Sequence, residues 1–490
     1  MDISTVPPYN FKQYYKRRKQ KMAEPVVEPS GAQSGVLSTK DEPGFSRSLL
    51  KLALPLALQS LLSAAVNYAD VWLLSAVHQT ALAAVSLANQ ITFVLTLFYL
   101  GISGGLTILS AQYWGRGKTD VIEKLLGACV RISLLISSVF CLLMLTIPRA
   151  LMRLFTPDET LVQYGADYLR VLAAGCLLTA FSQMFLSCLK SMERTKASAF
   201  ISSACLTANI ALDALAVFVV FKGSVSRCII GVAAATVLAR GLECALSAVW
   251  LNQKSPARLK MRCILRTEKW LLRDLRACTW RMSLNYLVWG GALTAISAII
   301  GHISSAMVSA YAVATSVRNL ATVACTGLAS GGSILLGKHL GAGKLALART
   351  DGQKLRRFAL LLGLGAGLIL LLIRPVCLAA VRLDKDAMTL LDQMLLICCA
   401  WCVGKSYNST LVGGVFCAGG DTGFGLICDT IAMWGVVLPL GVLSAFVWHL
   451  PPIVVFLILS MDEFIKMPFV ALRYRQYAWV KDLTHQEEEK

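Results

Sequence analysis

Charge is scarce in this chain, and negative charge most of all. Asp and Glu number 28 against 47 Lys and Arg, and the four types together make up only 15% of the 490 residues. Ordinary soluble domains carry about 25%, so an ordinary soluble fold is excluded. The phosphate-cradling pattern G-x-x-x-x-G-K-[ST] is absent, and the glycine clusters follow helix ends with no strand before them, which excludes a P-loop ATPase. Neither H-E-x-x-H nor G-x-S-x-G occurs, which removes the helical zinc site and the strained serine elbow. Histidine is limited to 5 residues. The 16 cysteines fall mostly in apolar runs, and Cys399-Ala-Trp-Cys402 has no second pair to complete a tetrahedral metal site. Asn408-Ser409-Thr410 is a glycosylation sequon in form only, because it sits inside a predicted helix. No catalytic cluster remains, and no enzyme or cofactor is expected.

What is abundant is apolar surface. Hydrophobic residues make up 56% of the chain and mean hydropathy is +0.63, the composition of a polytopic membrane protein. Apolar stretches long enough to cross a core of about 30 Å run from the first, near 49 to 76, to the last, near 453 to 474. The expected fold is all-α, with about twelve transmembrane helices, six in each half.

The halves are copies. GISGGLTILSAQYWGRGK from Gly101 returns without a gap as GLASGGSILLGKHLGAGK from Gly327. Gly101/Gly327, Gly105/Gly331, Ile108/Ile334, Leu109/Leu335, Gly115/Gly341, Gly117/Gly343 and Lys118/Lys344 are identical pairs. A weaker match relates LSCLKSMERTK from Leu186 to GGVFCAGGDTG from Gly413. Six helices per copy is an even number, so both copies enter the membrane from one side and form two parallel, pseudo-twofold six-helix bundles. The expected organisation is a tail over 1–48, a first lobe over 49–253, a linker over 254–278, a second lobe over 279–475 and a tail over 476–490. A duplicated twelve-helix protein without nucleotide machinery reads as a secondary transporter.

The net charge of +19 suggests nucleic acid until it is mapped onto the loops. Alternate segments collect about 33 of the 47 Lys and Arg against about 7 opposite, as the positive-inside rule requires. Both termini are therefore expected in the cytoplasm, in a multi-pass protein of the cell inner membrane, probing neither DNA nor RNA. The first apolar run begins too far from Met1 for a cleavable signal. The proline-rich first segment reads as a disordered, solvated tail whose Lys16, Arg17, Arg18, Lys19 and Lys21 are suited to anionic lipid headgroups. The basic linker, with Trp270, Leu271, Leu272 and Leu275, is expected partly along the inner interface.

Chemistry should reside in charges placed where the bilayer makes them costly, about 2.5 to 3.5 kcal/mol each at a helix centre. Asp70 lies about six residues and Asp213 about seven from the outer ends of the first and fifth helices, a shared depth of about 10 Å. Thr236 on the descending sixth helix reaches that level, and Asn209 lies one turn below Asp213 on the same face. Two carboxylates, an amide and a hydroxyl suit a small hard cation such as Na+, or a carboxylate pair that takes up H+. Pairing of each Asp with an arginine for packing is the competing reading. The repeat places Ile296 opposite Asp70 and Leu440 opposite Asp213, so ion coupling is expected in the first lobe alone. Asp167/Arg170 and Arg240/Glu243 read as locally neutralised pairs, Asp462, Glu463 and Lys466 as a self-balancing group, and Asp392 and Asp429 as near water. Arg131, Arg318 and Lys405 have no neighbour in sequence; facing a cavity, they would favour an anionic substrate.

LALPLALQSLLSAAVNYADVWLLSAV, ALAAVSLANQI, AQYWGRGK, NIALDALAVF and GVAAATVLAR together resemble the multidrug and toxic compound extrusion (MATE) family, over roughly residues 49 to 475, and its DinF-like branch through the acidic pair. The resemblance implies two bundles around a cleft that opens to either side in turn, a monomer exporting amphipathic organic cations in exchange for H+ or Na+. It maps the family's first-lobe site onto Asp70, Asn209, Asp213 and Thr236, adds Gln183, Asn67, Asn89 and Gln90 as cavity residues, and assigns Pro55 the bending of the first helix, where a missing N–H weakens the ladder. Two features depart from the family: Cys417 replaces a frequent positive charge, and the seventh helix lacks an acidic residue. A lipid-linked precursor flippase of the same superfamily, with arginines in its cleft, is the alternative.

Overall fold

The structure, a computed structural model, describes residues 44–77, 79–221, 224–258, 261–265, 267–381 and 383–484. Of the tail expected over 1–48, residues 1–43 lie outside these and the first helix already begins at Phe45. The described residues form helices and connecting turns, with no strand among them. Helices α1 (Phe45–Val77), α2 (Gln79–Gly115), α3 (Thr119–Thr146), α4 (Glu159–Ser191), α5 (Thr195–Val220) and α6 (Val225–Lys254) make the first bundle. The second contains α7 (Lys269–Gly301), α8 (Ser305–Gly341), α9 (Leu345–Ala380), α10 (Lys385–Phe416) and α11 (Thr422–Val447). Eleven helices among the described residues are long and apolar enough to span a membrane.

The twelfth span is broken. The run expected near 453 to 474 is two helices, α12 (Pro452–Leu459) and α13 (Asp462–Arg475), joined at Ser460 and Met461. Asp462 and Glu463 occupy the first turn of α13, where carboxylates suit the positive end of the helix dipole. Transporters place such discontinuous helices at their binding sites. Two of the wider π-helical turns fall beside buried polar groups, Ala216–Val220 after Asp213 and Ser409–Phe416 after Asn408, and Thr430–Val437 follows half-buried Asp429.

Two apolar cores lie within the first bundle, around Leu125 and Leu189 and around Leu169 and Val232. A third lies in the second bundle around Met394 and Phe456, while the fourth joins Leu49, Leu52 and Leu56 of α1 to Leu336, Leu340 and Phe416. The segment expected as an interfacial linker is in part helical. Its short helix Met261–Leu265 packs against α3, where Gly127 meets Cys263, and Leu271 and Leu275 at the start of α7 are buried in a first-bundle core.

The repeated glycines are where the bundles touch. A Cβ on Gly101 or Gly105 of α2 would collide with Ser283 or Thr279 of α7, and one on Gly327 or Gly331 of α8 with Ala57 or Ala53 of α1. Every contact maps onto its counterpart by the repeat: 101 and 327, 105 and 331, 57 and 283, 53 and 279 each differ by 226. Gly101/Gly105 and Gly327/Gly331 are small-x-x-x-small pairs, the spacing that lets membrane helices approach to backbone contact. Nearer the basic loops, Gly115 abuts the Lys338 carbonyl and Gly341 the Gln112 carbonyl. Gly117 and Gly343 then turn the chain with φ of +74°, a conformation that favours glycine.

Polar contacts join the same end. Lys338 Nζ lies 2.8 Å from Glu193, which also accepts from Trp114 Nε1 at 3.2 Å. Gln112 donates to the Ala418 carbonyl at 2.7 Å and accepts from Leu483 N at 2.7 Å, and Arg116 reaches Asp482 at 3.3 Å. The segment after α13, with Trp479 fully buried, thus ties the second bundle to the first.

Candidate functional site

Each bundle encloses a cavity. The first, about 640 Å³, is lined from α1, α2, α4, α5 and α6 by neutral polar groups (Asn89, Gln90, Thr92, Thr96, Asn209, Thr236), by Phe93, Tyr99 and Tyr168, and by Arg240. Its size suits a drug-like organic molecule. Beneath it, Asn209 Nδ2 donates to Asp213 Oδ2 at 2.9 Å, with Asp213 only 1% exposed. The i, i+4 spacing on α5 puts the amide between carboxylate and cavity. Thr236 Oγ1 returns to the Val232 carbonyl at 3.0 Å, an i−4 bond that leaves its oxygen lone pairs available.

The structure therefore brings Asn209, Thr236, Asn89 and Gln90 to one cavity, with Asp213 directly behind. Gln183 on α4 is half-buried and does not line it. The side chains of Asp70 and Asn67 lie outside the described residues, although α1, which carries them, packs along α5. Pro55 lies within α1, between the Ala53 and Ala57 contacts to α8. Three aromatic residues of the wall, Phe93, Tyr99 and Tyr168, escaped the sequence reading. Tyr99 is anchored by Ser137 at 2.7 Å and by donation to the Cys176 carbonyl at 2.8 Å, and Tyr168 donates to Asn89 at 3.4 Å. An aromatic in an apolar run reads as core, so only the cavity distinguishes them.

Among the other membrane charges, Arg240 is held 3.0 Å from Glu243, which also accepts from Ser182 and Ser202, and Asp167 pairs with Arg170 at 3.3 Å. Asp392 makes a two-pronged pair with Arg374, with its side chain still 33% exposed.

The second cavity, about 290 Å³, is lined by Trp289, Tyr311, Arg318, Trp401, Lys405, Asp462 and Glu463 among others. Asp429, expected near a helix end, lies within α11 and is bound by Lys466 Nζ at 3.1 Å. Lys405, which has no neighbour in sequence, finds its partner across the fold in Glu463 at 3.2 Å. Lys466 also contacts Asp462 at 3.3 Å and Glu463 at 3.4 Å, Asn408 donates to Glu463 at 2.8 Å, and Trp401 Nε1 donates to Asp462 at 3.2 Å. The self-balancing group is thus a larger buried network drawn from α10, α11 and α13.

Known proteins converge on one reading. The MatE family model matches residues 55–215 and 283–443, one match per repeat. The chain is 22% identical to the uncharacterized transporter YisQ of Bacillus subtilis, over 89% of this chain and 95% of that one. It is 24% identical to the probable multidrug resistance protein NorM of Bradyrhizobium diazoefficiens, over 93% and 98%. Among solved structures, the fold superposes on a MOP superfamily transporter from Pyrococcus furiosus with a TM-score of 0.80 at 17% identity, over 88% of this chain and 96% of that one. An outward-facing multidrug resistance MATE transporter superposes with a TM-score of 0.81, also at 17% identity and the same coverage.

Proposed function

Because this chain belongs to the MatE family of multidrug efflux transporters, we propose that it is a secondary active transporter exporting amphipathic organic compounds, cations among them, in exchange for H+ or Na+. The buried Asn209–Asp213 pair behind a cavity of about 640 Å³ supports this reading. A carboxylate screened from water by an amide changes charge state at a cost that a neighbouring ion or substrate can shift. Asp70 on the packed α1 is proposed as the second carboxylate and Thr236 as the hydroxyl ligand, the set by which the DinF-like branch is recognised. Entry of H+ or Na+ neutralises the site, α1 bends at Pro55, and the bound compound leaves.

Contacts crowded at the basic end, with cavities above, fit an outward-facing state in which the basic loops and both termini are cytoplasmic and the protein sits as a monomer in the inner membrane. One charge crossing 100 mV supplies about 2.3 kcal/mol, enough for roughly a fiftyfold gradient. Arginines 240 and 318 line the cavities, the observation favouring a lipid-precursor flippase, but Arg240 is already neutralised by Glu243.

The test is release of a fluorescent organic cation from proteoliposomes under a pH gradient or a Na+ gradient imposed separately. Release driven by one gradient names the ion. No release under either, with transfer of a lipid-linked phosphate between leaflets, would replace export by the flippase reading.

A further inference from the structure

The charges lining the second cavity are unequally satisfied. Glu463 is bound by Lys405, Lys466 and Asn408, and Asp462 by Lys466 and Trp401. Arg318, on α8, has no carboxylate within ion-pair distance among the described residues. Its Nε is buried with no acceptor among them, and its guanidinium lies over the Trp401 ring, 4.3 Å from the centroid. A buried donor left open is costly, and a guanidinium is built to receive a planar carboxylate in two parallel hydrogen bonds. The cation–π contact with Trp401 holds the guanidinium at the cavity wall with its Nε unpaired. Lys405 stands on the same wall, over the rings of Trp289 and Trp401 at 5.8 and 5.6 Å, and shares Glu463, its one carboxylate partner among the described residues, with Lys466 and Asn408. Trp289, Tyr311 and Phe456 give the remaining wall an aromatic part, beside aliphatic Leu293, Ile296, Met433 and Leu459.

We propose that the second cavity is a subsite for aromatic carboxylates, Arg318 binding the carboxylate and the aromatic wall taking the ring. The acids of the cavity are held by lysines and do not compete for a cation, so the site selects a negative group. This rests on the transporter reading for its meaning as a substrate class: exported compounds would include aromatic acids and zwitterions as well as cations.

The test is calorimetric titration of the full chain in phosphatidylcholine nanodiscs with 2-naphthoate, 2-naphthylmethanol and 2-naphthylmethylammonium. The expected result is naphthoate binding about tenfold or more tighter than the alcohol, as one charge-assisted pair implies. Arg318→Gln should remove that preference while leaving alcohol binding unchanged, which also shows an intact cavity. Arg318→Lys should keep part of the preference. If Arg318→Gln loses alcohol binding as well, Arg318→Lys decides: a retained preference for naphthoate supports the site and its loss overturns it. Absence of naphthoate binding, equal binding of acid and alcohol to the unmodified protein, tighter binding of the ammonium, or an Arg318→Gln protein that still prefers the acid would each overturn the proposal. The readout needs no gradient, so a failure of coupled efflux leaves it standing, and its own failure leaves the efflux result standing.

Discussion

The two bundles are copies that differ in what they enclose. In the first, Asp213 is bonded to an amide and lies behind a roomy cavity walled by neutral polar groups. In the second, Asp429, Asp462 and Glu463 are tied to Lys405 and Lys466 around a cavity less than half that size. The surfaces by which the bundles meet have stayed alike, down to reciprocal contacts of Gly101 with Ser283 and Gly327 with Ala57. The glycines at the contacts are kept in both copies while the charged groups the bundles enclose differ.

Breaking the second network gives the largest expected loss of stability. Lys466→Met leaves buried Asp462 and Glu463 without this cation, and removing one partner from a buried ion pair costs about 3 to 5 kcal/mol. Thermal unfolding in detergent should show a markedly lower midpoint. Next come the shared contacts. Gly341→Leu forces a side chain against the Gln112 carbonyl, and Gly115→Leu does the same against Lys338. Overpacking of this kind costs about 1 to 3 kcal/mol, so each should depopulate the state closed at the basic end by about five- to 150-fold. Distances between spin labels on the two basic loops would report it, and similar effects from the two substitutions would confirm that the contacts are equivalent.

Smaller effects sharpen the contrast. Tyr99→Phe loses the bonds to Ser137 and the Cys176 carbonyl, with an expected cost of about 1 kcal/mol and a weaker grip on compounds in the first cavity, measured by titration. Arg153→Gln removes an exposed pair with Glu159, worth below about 1 kcal/mol. Its unfolding midpoint should match the parent's within a degree or two.

The repeat, the number of apolar runs and the side bearing positive charge were legible because each is written in contiguous residues. So was the i, i+4 relation of Asn209 to Asp213. The purpose of the paired glycines was hidden, since Gly101 meets Ser283 across a distance in sequence that no local pattern reports. The second network was hidden for the same reason: Lys405, Asp429 and Lys466 come from three helices. Asp429 read as solvated because helix ends usually are, but the break between α12 and α13 brings Lys466 to it. That break was itself invisible, because hydropathy averages across Ser460 and Met461.

The most direct test of a division between coupling and structure is gradient-driven release of a fluorescent cation from proteoliposomes, comparing Asp213→Asn with Glu463→Gln at matched amounts of folded protein. The account predicts that Asp213→Asn abolishes the response to the ion gradient while the folded fraction of Glu463→Gln retains it. Full gradient-driven release by Asp213→Asn, with its loss in folded Glu463→Gln, would move ion coupling to the second bundle and contradict the account.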